Sequence, residues 1–572
     1  MLIVFFAIVG LVAIGVVATR RNRAAVRARL RVSWGRPIER ERQMGAMAAS
    51  HRARLAYAGS GESLDARTWD DLNLDAVFAA IDRTESTLGQ HALYHRLRTA
   101  PIAHNLEVFE RLVSRFEIES GPRERAQQVL SRLRDPHGYD LWWLGRQDAI
   151  ETQSWYVLFP VLTVATLLLF VLSLITPQIV PALVAALVIN VIVRFATDRL
   201  IQPLAVAFRQ VAPVVATAES LQFLPRDDVQ PLIGSIGTDV PHLSQLKTIS
   251  RWIGGDPLML SMRAGSLIAL LNDVISTVYE YLNLVLLLDG NGVYFGARGL
   301  RAHRGALLRT IMAMGEVDAS ISVASFRAGR SDWTRPRFLE PGTPAKLIDV
   351  RHPLVLDAVP NTISLAPGRG VLITGSNMSG KSTFLRTVGV TAVLAQTLNT
   401  CLAAEYQAPV FNVRSCIGRS DDLLTGRSYY IVEVESLLEL VSASSTSAGP
   451  HLFLLDELFR GTNAVERIAA GQAVLLQLVG GSGAPRRHVV LAATHDGELV
   501  DLVPDRYDPF HFGDSVGADG LIFDHQLRPG AASTRNAIAL LRLHGAPREL
   551  IQCALTCAAI LDAQRGSTLQ SR

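Results

Sequence analysis

Cysteine and lysine are both scarce in this chain of 572 residues. The four cysteines fall in the last third of the sequence, a distribution that argues against a disulfide framework and indicates a reducing compartment. Lysine occurs only at Lys247, Lys346 and Lys381, so arginine supplies nearly all of the 56 basic residues. A lysine in this chain therefore calls for a specific reason.

Charge of either sign is also sparse. Only 19% of the residues are charged, 49% are hydrophobic, and the formal net charge is +4. A charge this small on a chain this long gives no argument for nucleic-acid binding. The mean hydropathy of +0.24 is higher than is typical of soluble proteins. The composition predicts that part of the chain lies in lipid, and the length predicts roughly three or more structural units.

Two apolar segments are candidates for crossing a membrane. Residues 1–18 carry no charge and are just long enough to span a bilayer core of about 30 Å. We expect an uncleaved anchor here rather than a signal peptide, because the arginines follow the apolar run and no cleavage site precedes them. Residues 155–194, broken at Thr176-Pro177, predict a transmembrane hairpin; the alternative is a pair of buried core helices.

Basic residues flank these apolar segments on one side. The segment 19–54 is strongly basic between residues 20 and 42, Arg146 precedes the hairpin, and Arg194 and Arg199 follow it. The positive-inside rule then predicts a multi-pass protein of the cell membrane, with its N-terminus outside and both large polar portions in the cytoplasm. For the basic segment we favour binding to acidic membrane lipid over binding to DNA.

The polar portions differ in their hydrophobic pattern. Segments 55–154 and 195–345 have the periodicity of amphipathic helices and predict a helical core in two parts. The apolar run 282–288 is assigned to that core, because Glu280, Asn283 and Asp289 argue against another membrane span. From residue 346 to 572, short apolar runs alternate with helical stretches, which predicts an α/β domain with a largely parallel sheet and C-terminal helices.

A phosphate-binding motif opens this α/β portion. The stretch GVLITGSNMSGKSTF has the pattern G-x-x-x-x-G-K-[ST], preceded by an apolar strand and followed by a helix. Its glycines allow the backbone NH groups to approach phosphates at a helix N-terminus. Lys381 is expected to reach the β- and γ-phosphates of ATP, and Ser382 to bind Mg²⁺. The predicted nucleotide-binding loop consists of Gly375, Ser376, Asn377, Met378, Ser379, Gly380, Lys381, Ser382 and Thr383.

Two further apolar runs end in titratable residues. HLFLLDEL delivers Asp456 and Glu457 to the end of a buried strand, as in a Walker B element. Asp456 is expected to hold the metal and Glu457 to act as general base toward the attacking water. HVVLAAT precedes His495, which at a third strand end is a candidate sensor of the γ-phosphate. A structural histidine is the alternative.

The order of these motifs resembles the MutS family of DNA mismatch-repair ATPases. TGSNMSGKST is similar to that family's T-G-P-N-M-[GS]-G-K-S-T, with Ser376 replacing the proline. DVRHPLV, GRSDDLLTGRSYYIVEVE, DELFRGTN and AATHDGEL resemble further family segments in the same order, over about residues 345–550. The resemblance places Ser428 at the position whose serine contacts the γ-phosphate of the opposing subunit. A weaker resemblance upstream extends to the helical core.

The resemblance implies an α/β P-loop ATPase of the ABC-like, MutS type, preceded by an all-α helical core or lever domain with transmembrane helices. It implies a homodimer that uses ATP and Mg²⁺, and DNA, mismatched or branched, as a partner. No mismatch-recognition domain precedes residue 71 in this sequence, and the family's Phe-x-Glu wedge is not found there. The alternative is a DNA-independent membrane ATPase that couples its nucleotide state to a protein partner or to the hairpin.

Overall fold

The protein divides into two compact units in the computed structural model. A helical unit holds the described residues up to 58 and from 78 to 331, and an α/β unit holds residues 64–77 and 332–570. The structure describes residues 17, 20–21, 24–58, 64–99, 103–134, 141–142, 144, 153–224, 229–253, 277–376, 378–418, 429–446, 449–480, 487–517, 520–532 and 537–570. The predicted anchor, residues 1–18, lies outside these ranges except for Val17.

The helical unit contains α-helices and short 3₁₀ turns, and no strand among its described residues. Residues 24–33 and 277–286 are also helical. The α-helices from residue 44 to residue 328 are α1 (Met44–Ala58), α2 (Ala66–Asp71, in the α/β unit), α3 (Leu74–Ile81), α4 (Thr87–Arg98), α5 (Ala103–Ile118), α6 (Ser120–Leu130), α7 (Leu158–Ile175), α8 (Val180–Arg209), α9 (Val211–Ser220), α10 (Gln230–Ile233), α11 (Ser235–Thr238), α12 (Ser244–Trp252) and α13 (Leu288–Ala328).

The longest helix, α13, organises the helical unit. Its 41 residues rise about 60 Å, and it packs against α4, α5, α8 and α12. Close approach to α4 requires a glycine, because a Cβ atom on Gly315 would lie 2.8 Å from the carbonyl oxygen of Leu88. Near its C-terminal end, the buried Arg327 forms ion pairs with Glu110 and Glu117 of α5. The helices of this unit are thus joined by small-residue contacts and by buried ion pairs.

The predicted hairpin corresponds to α7 and α8. The helices are separated at Thr176 and a 3₁₀ turn over Pro177–Ile179, where the sequence predicts the break. The second helix is longer than the apolar run suggested, because α8 continues through Pro203 to Arg209. The windows of highest mean hydropathy, 2.6 and 2.4, are only 11% and 6% buried. By length and composition, these two helices are able to cross a membrane.

The basic segment is largely built into the helical unit. Arg40 and Arg42 both bind the fully buried Asp82, with nitrogen to oxygen distances of 2.5 and 2.9 Å. Arg29 pairs with Glu85, and Arg31 with Glu124. Four of the nine arginines between residues 20 and 42 therefore pair with carboxylates of the same unit, and these contacts join residues far apart in sequence. This pairing limits lipid binding by the segment to its remaining arginines.

The α/β unit contains two sheets. The larger has six strands in the order β10-β9-β4-β8-β7-β6, in which β10 is antiparallel to β9 and the others are parallel; the smaller has the order β1-β5-β2-β3. The strands are β1 (Arg337–Phe338), β2 (Ala345–Val350), β3 (Asn361–Leu365), β4 (Gly370–Thr374), β5 (Glu405–Ala408), β6 (Asn412–Ile417), β7 (His451–Asp456), β8 (Val489–Ala493), β9 (Tyr507–Gly517) and β10 (Gly520–Pro529).

Buried apolar strands place the larger sheet at the centre of this unit. All residues of β4 and β8 are buried, as expected of strands covered on both faces. The helices of the unit after residue 380 are α14 (Lys381–Leu398), α15 (Tyr429–Thr446), α16 (Ala464–Leu478), α17 (Glu498–Leu502), α18 (Ala537–Leu543) and α19 (Arg548–Gln570). This architecture agrees with the α/β domain that the sequence predicts.

Residues 64–77 belong to the α/β unit, whereas the sequence assigned them to the helical core. The reason is a set of hydrogen bonds from α2 to strand β6. The carboxylate of Asp71 accepts from the Ser415 hydroxyl at 2.7 Å and from the Ile417 backbone N–H at 3.0 Å, and Arg386 donates to the Asp71 carbonyl oxygen at 2.7 Å. These contacts join residues more than 300 positions apart, which helical periodicity does not reveal. The remaining predicted domain limits stay predictions.

Candidate active site

Three parallel strands of the larger sheet end at one edge. Ile373 of β4 is paired with Ala493 of β8, and Ala493 is paired with Asp456 of β7. The chain therefore leaves all three strands at the same level. Because the carboxyl ends of parallel strands form the ligand-binding edge of such sheets, the residues that follow them are the candidates for chemistry.

The phosphate-binding loop follows β4. Gly375 and Gly380 have φ angles of 141° and 115°, in the region that favours glycine. A Cβ atom on Gly375 would also approach the carbonyl oxygen of Phe512 to 2.9 Å. Lys381 is the first residue of α14, and its Nζ donates to the carbonyl oxygens of Gly375 and Ser376 at 2.9 Å. Asn377, also assigned to this loop, lies outside the described residues.

Asp456 is the last residue of β7 and points toward the start of α14. Its carboxyl group hydrogen bonds to Ser382, and its pKa is raised because burial disfavours the charged form. Its Oδ1 is buried and has no hydrogen-bond partner within the part of the chain that the structure describes. A hydroxyl and a carboxylate side by side are ligands that suit Mg²⁺. Ser382 and Asp456 thus fit the metal role that the sequence assigns to them.

Glu457 follows in a left-handed backbone conformation, with φ of 52°. Its N–H donates to the carbonyl oxygen of Ala493 at 2.9 Å, so the chain turns against the neighbouring strand β8. Its Oε1 lies 2.5 Å from Nε2 of His495, and its other carboxylate oxygen contacts Arg460. The turn therefore directs the Glu457 side chain along the sheet edge rather than back into the core.

His495 lies between the predicted base and the predicted phosphate-binding lysine. Its Nε2 is 3.4 Å from Nζ of Lys381, in addition to its contact with Glu457. The next residue, Asp496, forms a two-contact ion pair with Arg467 of α16, at 2.6 and 2.8 Å. That pair fixes the loop after β8 and with it the imidazole. Lysine, glutamate and histidine from three strand ends thus meet in one place.

Lys381 has an electrostatic environment suited to phosphate. Burial lowers the pKa of its ammonium, while the carboxylates of Glu457 and Asp456 raise it. The ammonium is therefore held by two nearby negative charges and two backbone carbonyl groups. A phosphate group would replace carbonyl contacts with charged ones, which are stronger.

Glu433 is a residue of this site to which the sequence assigned no role. Its buried carboxylate accepts a hydrogen bond from the backbone N–H of Phe459 at 2.6 Å, and burial raises its pKa. Phe459 has a φ angle of 59°, so Glu433 of α15 supports a strained turn just after the predicted base. The available signal was its position in the segment that resembles the family, five residues after Ser428.

A cavity of about 430 Å³ adjoins the phosphate-binding loop. It is lined on one side by residues 380–384 and on the other by residues 355–359, with His352 and His525 beside them. Nδ1 of His525 lies 3.0 Å from the carbonyl oxygen of Ser379, which ties strand β10 to the loop. Lys381 and Glu457 also line this cavity, so it is continuous with the candidate catalytic residues and can receive part of a nucleotide.

Ser428, the residue assigned to the opposing subunit's γ-phosphate, lies outside the described residues. The structure therefore brings together Lys381, Ser382, Asp456, Glu457 and His495, and the role of Ser428 stays a prediction.

Comparison with known proteins gives the same assignment for this region. A family model described as MutS domain V matches residues 371–562. The protein named DNA mismatch repair protein MutS from Thermus thermophilus is 35% identical over 275 residues, which are 47% of this chain and 32% of that protein.

Archaeal relatives match to a similar extent. DNA mismatch repair protein MutS from Natronomonas pharaonis is 35% identical over 257 residues, 42% of this chain and 28% of the relative. DNA mismatch repair protein MutS 2 from Halobacterium salinarum is 36% identical over 269 residues, 45% of this chain and 30% of the relative. The chain spans about a third of the length of these relatives. Within that span, the motif order, the sheet edge and the family match agree, and residues 371–562 are similar to domain V of MutS.

Proposed function

We propose that the α/β unit binds ATP with Mg²⁺ and hydrolyses it at the edge formed by β4, β7 and β8. The observation that carries this proposal is the meeting of Lys381, Glu457 and His495 there. Lys381 would bind the β- and γ-phosphates, Glu457 would accept a proton from the attacking water, and His495 would hold the Glu457 carboxylate and contact the γ-phosphate. The similarity of residues 371–562 to domain V of MutS also supports ATP hydrolysis.

Ser382 and Asp456 would hold the magnesium ion. The hydrogen bond between them and the buried, unpartnered Oδ1 of Asp456 among the described residues support this assignment. When bound, Mg²⁺ would neutralise the charge that develops on the phosphate oxygens. The raised pKa of Asp456 is consistent with this role, because a bound metal ion would supply the positive charge that its buried carboxylate needs.

The ATPase would act as a homodimer. In this proposal Ser428 of each subunit contacts the γ-phosphate bound by the other, as the resemblance to the family implies. ATP binding would close the dimer and hydrolysis would open it, and the movement would pass to the attached helices.

We also propose that the chain is a multi-pass protein of the cell membrane with its ATPase in the cytoplasm. Support comes from α7 and α8, whose most apolar windows are 11% and 6% buried and leave large side chains exposed, among them Leu168 at 59%. Such surface is costly in water and favourable in lipid. The N-terminal apolar segment 1–18 would be a further anchor, and the lipid partner would be mainly the acyl chains around these helices.

The partner coupled to hydrolysis is proposed to be DNA, mismatched or branched. The relatives are named DNA mismatch repair proteins, and this name is the support for DNA. The alternative is a membrane ATPase that acts on a protein partner or on its own hairpin without DNA. The exposed apolar surface of α7 and α8 favours this alternative.

The hydrolysis proposal is tested with the full chain in detergent or nanodiscs. Glu457→Gln is expected to retain ATP binding and to lower kcat by about 10²- to 10⁴-fold, because the base is lost while the phosphate contacts stay. Glu439→Gln, an exposed glutamate of the same unit, is the matched control and should retain full activity. Equal hydrolysis by the two variants would refute the assignment of the base.

The DNA proposal needs its own measurement. Binding of homoduplex, mismatched and branched DNA to the full chain is titrated against salt, because phosphate contacts give an affinity that falls as salt rises. Tighter binding to mismatched or branched DNA supports the DNA proposal. If the chain hydrolyses ATP but binds no DNA at low salt, the DNA proposal is wrong and the DNA-independent membrane ATPase is the remaining proposal.

A further inference from the structure

The helix that includes residues 277–286 ends against the hairpin α7 and α8. The side-chain amide of Asn190 donates to the carbonyl oxygen of Val285 at 2.6 Å and to the Thr166 hydroxyl at 2.9 Å. The Thr163 hydroxyl donates to the carbonyl oxygen of Leu286 at 2.7 Å. The polar side chains of the hairpin are therefore directed at the end of this helix, where carbonyl groups lose their helical partners.

The chain bends sharply after these carbonyl groups. Leu287 has a φ angle of 51°, and α13 begins at the next residue. The hydroxyl of Tyr279 donates to Asp289 at 2.6 Å, although a continuous helix would separate the two residues by about 15 Å along its axis. Asn291 donates to the carbonyl oxygen of Leu286 at 2.9 Å and so closes the bend. Residues 284–288 therefore form an apex.

The apex contacts the hairpin at the middle of α7 and about one turn before Arg194 in α8. Thr166 lies eight residues after the start of α7 and nine before its end, so its contact level is about 13 Å from either end. Asn190 lies ten residues, or about 15 Å, into α8. In a bilayer with a hydrocarbon core of about 30 Å, this level lies within the hydrocarbon region.

The residues at and before the apex are suited to lipid. Tyr281 and Leu282 are 70% and 46% exposed, and the sequence from 284 to 288 is Leu-Val-Leu-Leu-Leu. Glu280 and Asp289 flank this stretch, and the buried Asp289 is paired with Arg209 and bonded to Tyr279. Charge thus limits the apolar stretch to residues 281–288.

We propose that residues 281–288 form a third membrane-embedded element, a re-entrant apex that enters and leaves the bilayer on the same side. Asn190 and Thr163 hold it, because carbonyl groups freed at a helix end within hydrocarbon require donors from the protein. The partner of the exposed face is the acyl-chain region of the bilayer. This inference rests on the proposed membrane insertion of α7 and α8, and it revises the assignment of residues 282–288 to the helical core.

The test is cysteine accessibility in the full chain reconstituted in liposomes. The exposed Cys553 and Cys557 are replaced by serine, and single cysteines are introduced as Leu282→Cys at the apex, Leu168→Cys in α7 and Ile118→Cys in α5. The probe is a membrane-impermeant maleimide, which reacts with the thiolate formed in water. Labelling at 282 and 168 is expected to be slower than at 118 by about tenfold or more.

Two outcomes overturn the inference and are distinguishable. If position 168 is protected and position 282 reacts as fast as 118, the membrane proposal stands and the apex lies in water. If position 168 also reacts fast, membrane insertion itself fails, and the apex fails with it. As a second variant, Asn190→Leu should leave position 168 protected and increase labelling at 282. Unchanged labelling at 282 would refute the role of Asn190.

Discussion

Buried carboxylates have opposite electrostatic environments in the two units. In the helical unit, Asp82 and Glu316 each pair with two arginines, and these arginines outweigh the effect of burial and lower the pKa of both carboxyl groups. In the α/β unit, burial raises the pKa of Asp456 and Glu433, because the neighbouring cations do not compensate for it. In the helical unit, arginines thus compensate the charge of Asp82 and Glu316 within the fold. In the α/β unit, Glu433 has a backbone N–H as its partner, and Asp456 is available to a ligand.

The chain therefore uses charge for two purposes, to join distant elements in one unit and to form the candidate site in the other. Paired charges in the helical unit join elements that are distant in sequence, such as Arg54 and Arg96 with Glu316. The α/β unit keeps carboxylates beside Lys381, and under the proposed function a bound nucleotide and metal would complete the charge balance of this site. Perturbed groups of this second kind concentrate at functional sites. The two kinds of carboxylate should therefore respond differently to substitution.

The largest effect is expected from opening a buried ion pair of the helical unit. Arg327→Leu would remove the buried guanidinium that pairs with Glu110 and Glu117, at a cost of about 3–5 kcal/mol in the free energy of unfolding. Arg31→Leu removes an exposed pair with Glu124 and should lower the free energy of unfolding much less, because water screens this pair. Thermal unfolding of both variants in detergent checks this contrast. A similar loss of Tm in the two would show that burial does not decide the role of these pairs.

A smaller effect, on catalysis rather than stability, is expected at Glu433. Glu433→Ala would leave the Phe459 N–H without its buried acceptor, at a cost of about 1–3 kcal/mol. If this cost is expressed at the base, it corresponds to roughly a 5- to 150-fold lower kcat. The KM for ATP should change little, because Phe459 is not part of the proposed phosphate-binding loop, residues 375–383.

Glu433→Gln separates the hydrogen bond from the charge. The amide oxygen still accepts from the Phe459 N–H, so this variant should recover most of the kcat lost in Glu433→Ala. A rise in KM with unchanged kcat in either variant would instead place Glu433 among the residues that bind nucleotide.

Much of the candidate site could be predicted from local sequence. Lys381, Asp456 and Glu457 each follow a short apolar run, and parallel strands bring such positions to one edge whatever else the chain does. The geometry of the turn after β7 could not be predicted from the sequence, because Glu457 and Phe459 adopt left-handed conformations that these residue types do not favour. Glu433 was missed as a functional residue for this reason: the turn that it supports has no signature in the sequence.

The helical unit was predicted less well, because its defining contacts are long-range. The basic segment suggested a lipid-binding surface, but Arg40 and Arg42 are committed to Asp82, some 40 residues further along the chain. Residues 64–77 carry helical periodicity, yet hydrogen bonds from Asp71 join them to the α/β unit. Composition and periodicity report local preference, and neither identifies the partner of a buried charge.

The smallest effect tests an exception within the helical unit. Asp318 is fully buried, and it accepts hydrogen bonds from the backbone N–H groups of Glu85 and Ser86 instead of pairing with arginine. Burial raises the pKa of its carboxyl group to about 7 from 3.8. Between these two pH values the folded state binds a proton that the unfolded state has released. Stability from this group is therefore greatest at low pH and falls as the pH rises toward 7.

Asp318→Asn supplies a neutral side chain of the same shape and isolates this contribution. Buried histidines such as His91, whose pKa is lowered by burial to about 3, give the opposite trend in both proteins and cancel in the difference. The free energy of unfolding of Asp318→Asn minus that of the natural chain should therefore rise between pH 4 and pH 7, by up to about 1.4 kcal/mol per pH unit. Unfolding in detergent across this range measures the slope. A difference independent of pH would mean that the backbone N–H groups keep Asp318 ionised, and that donors without formal charge can replace arginine in this unit.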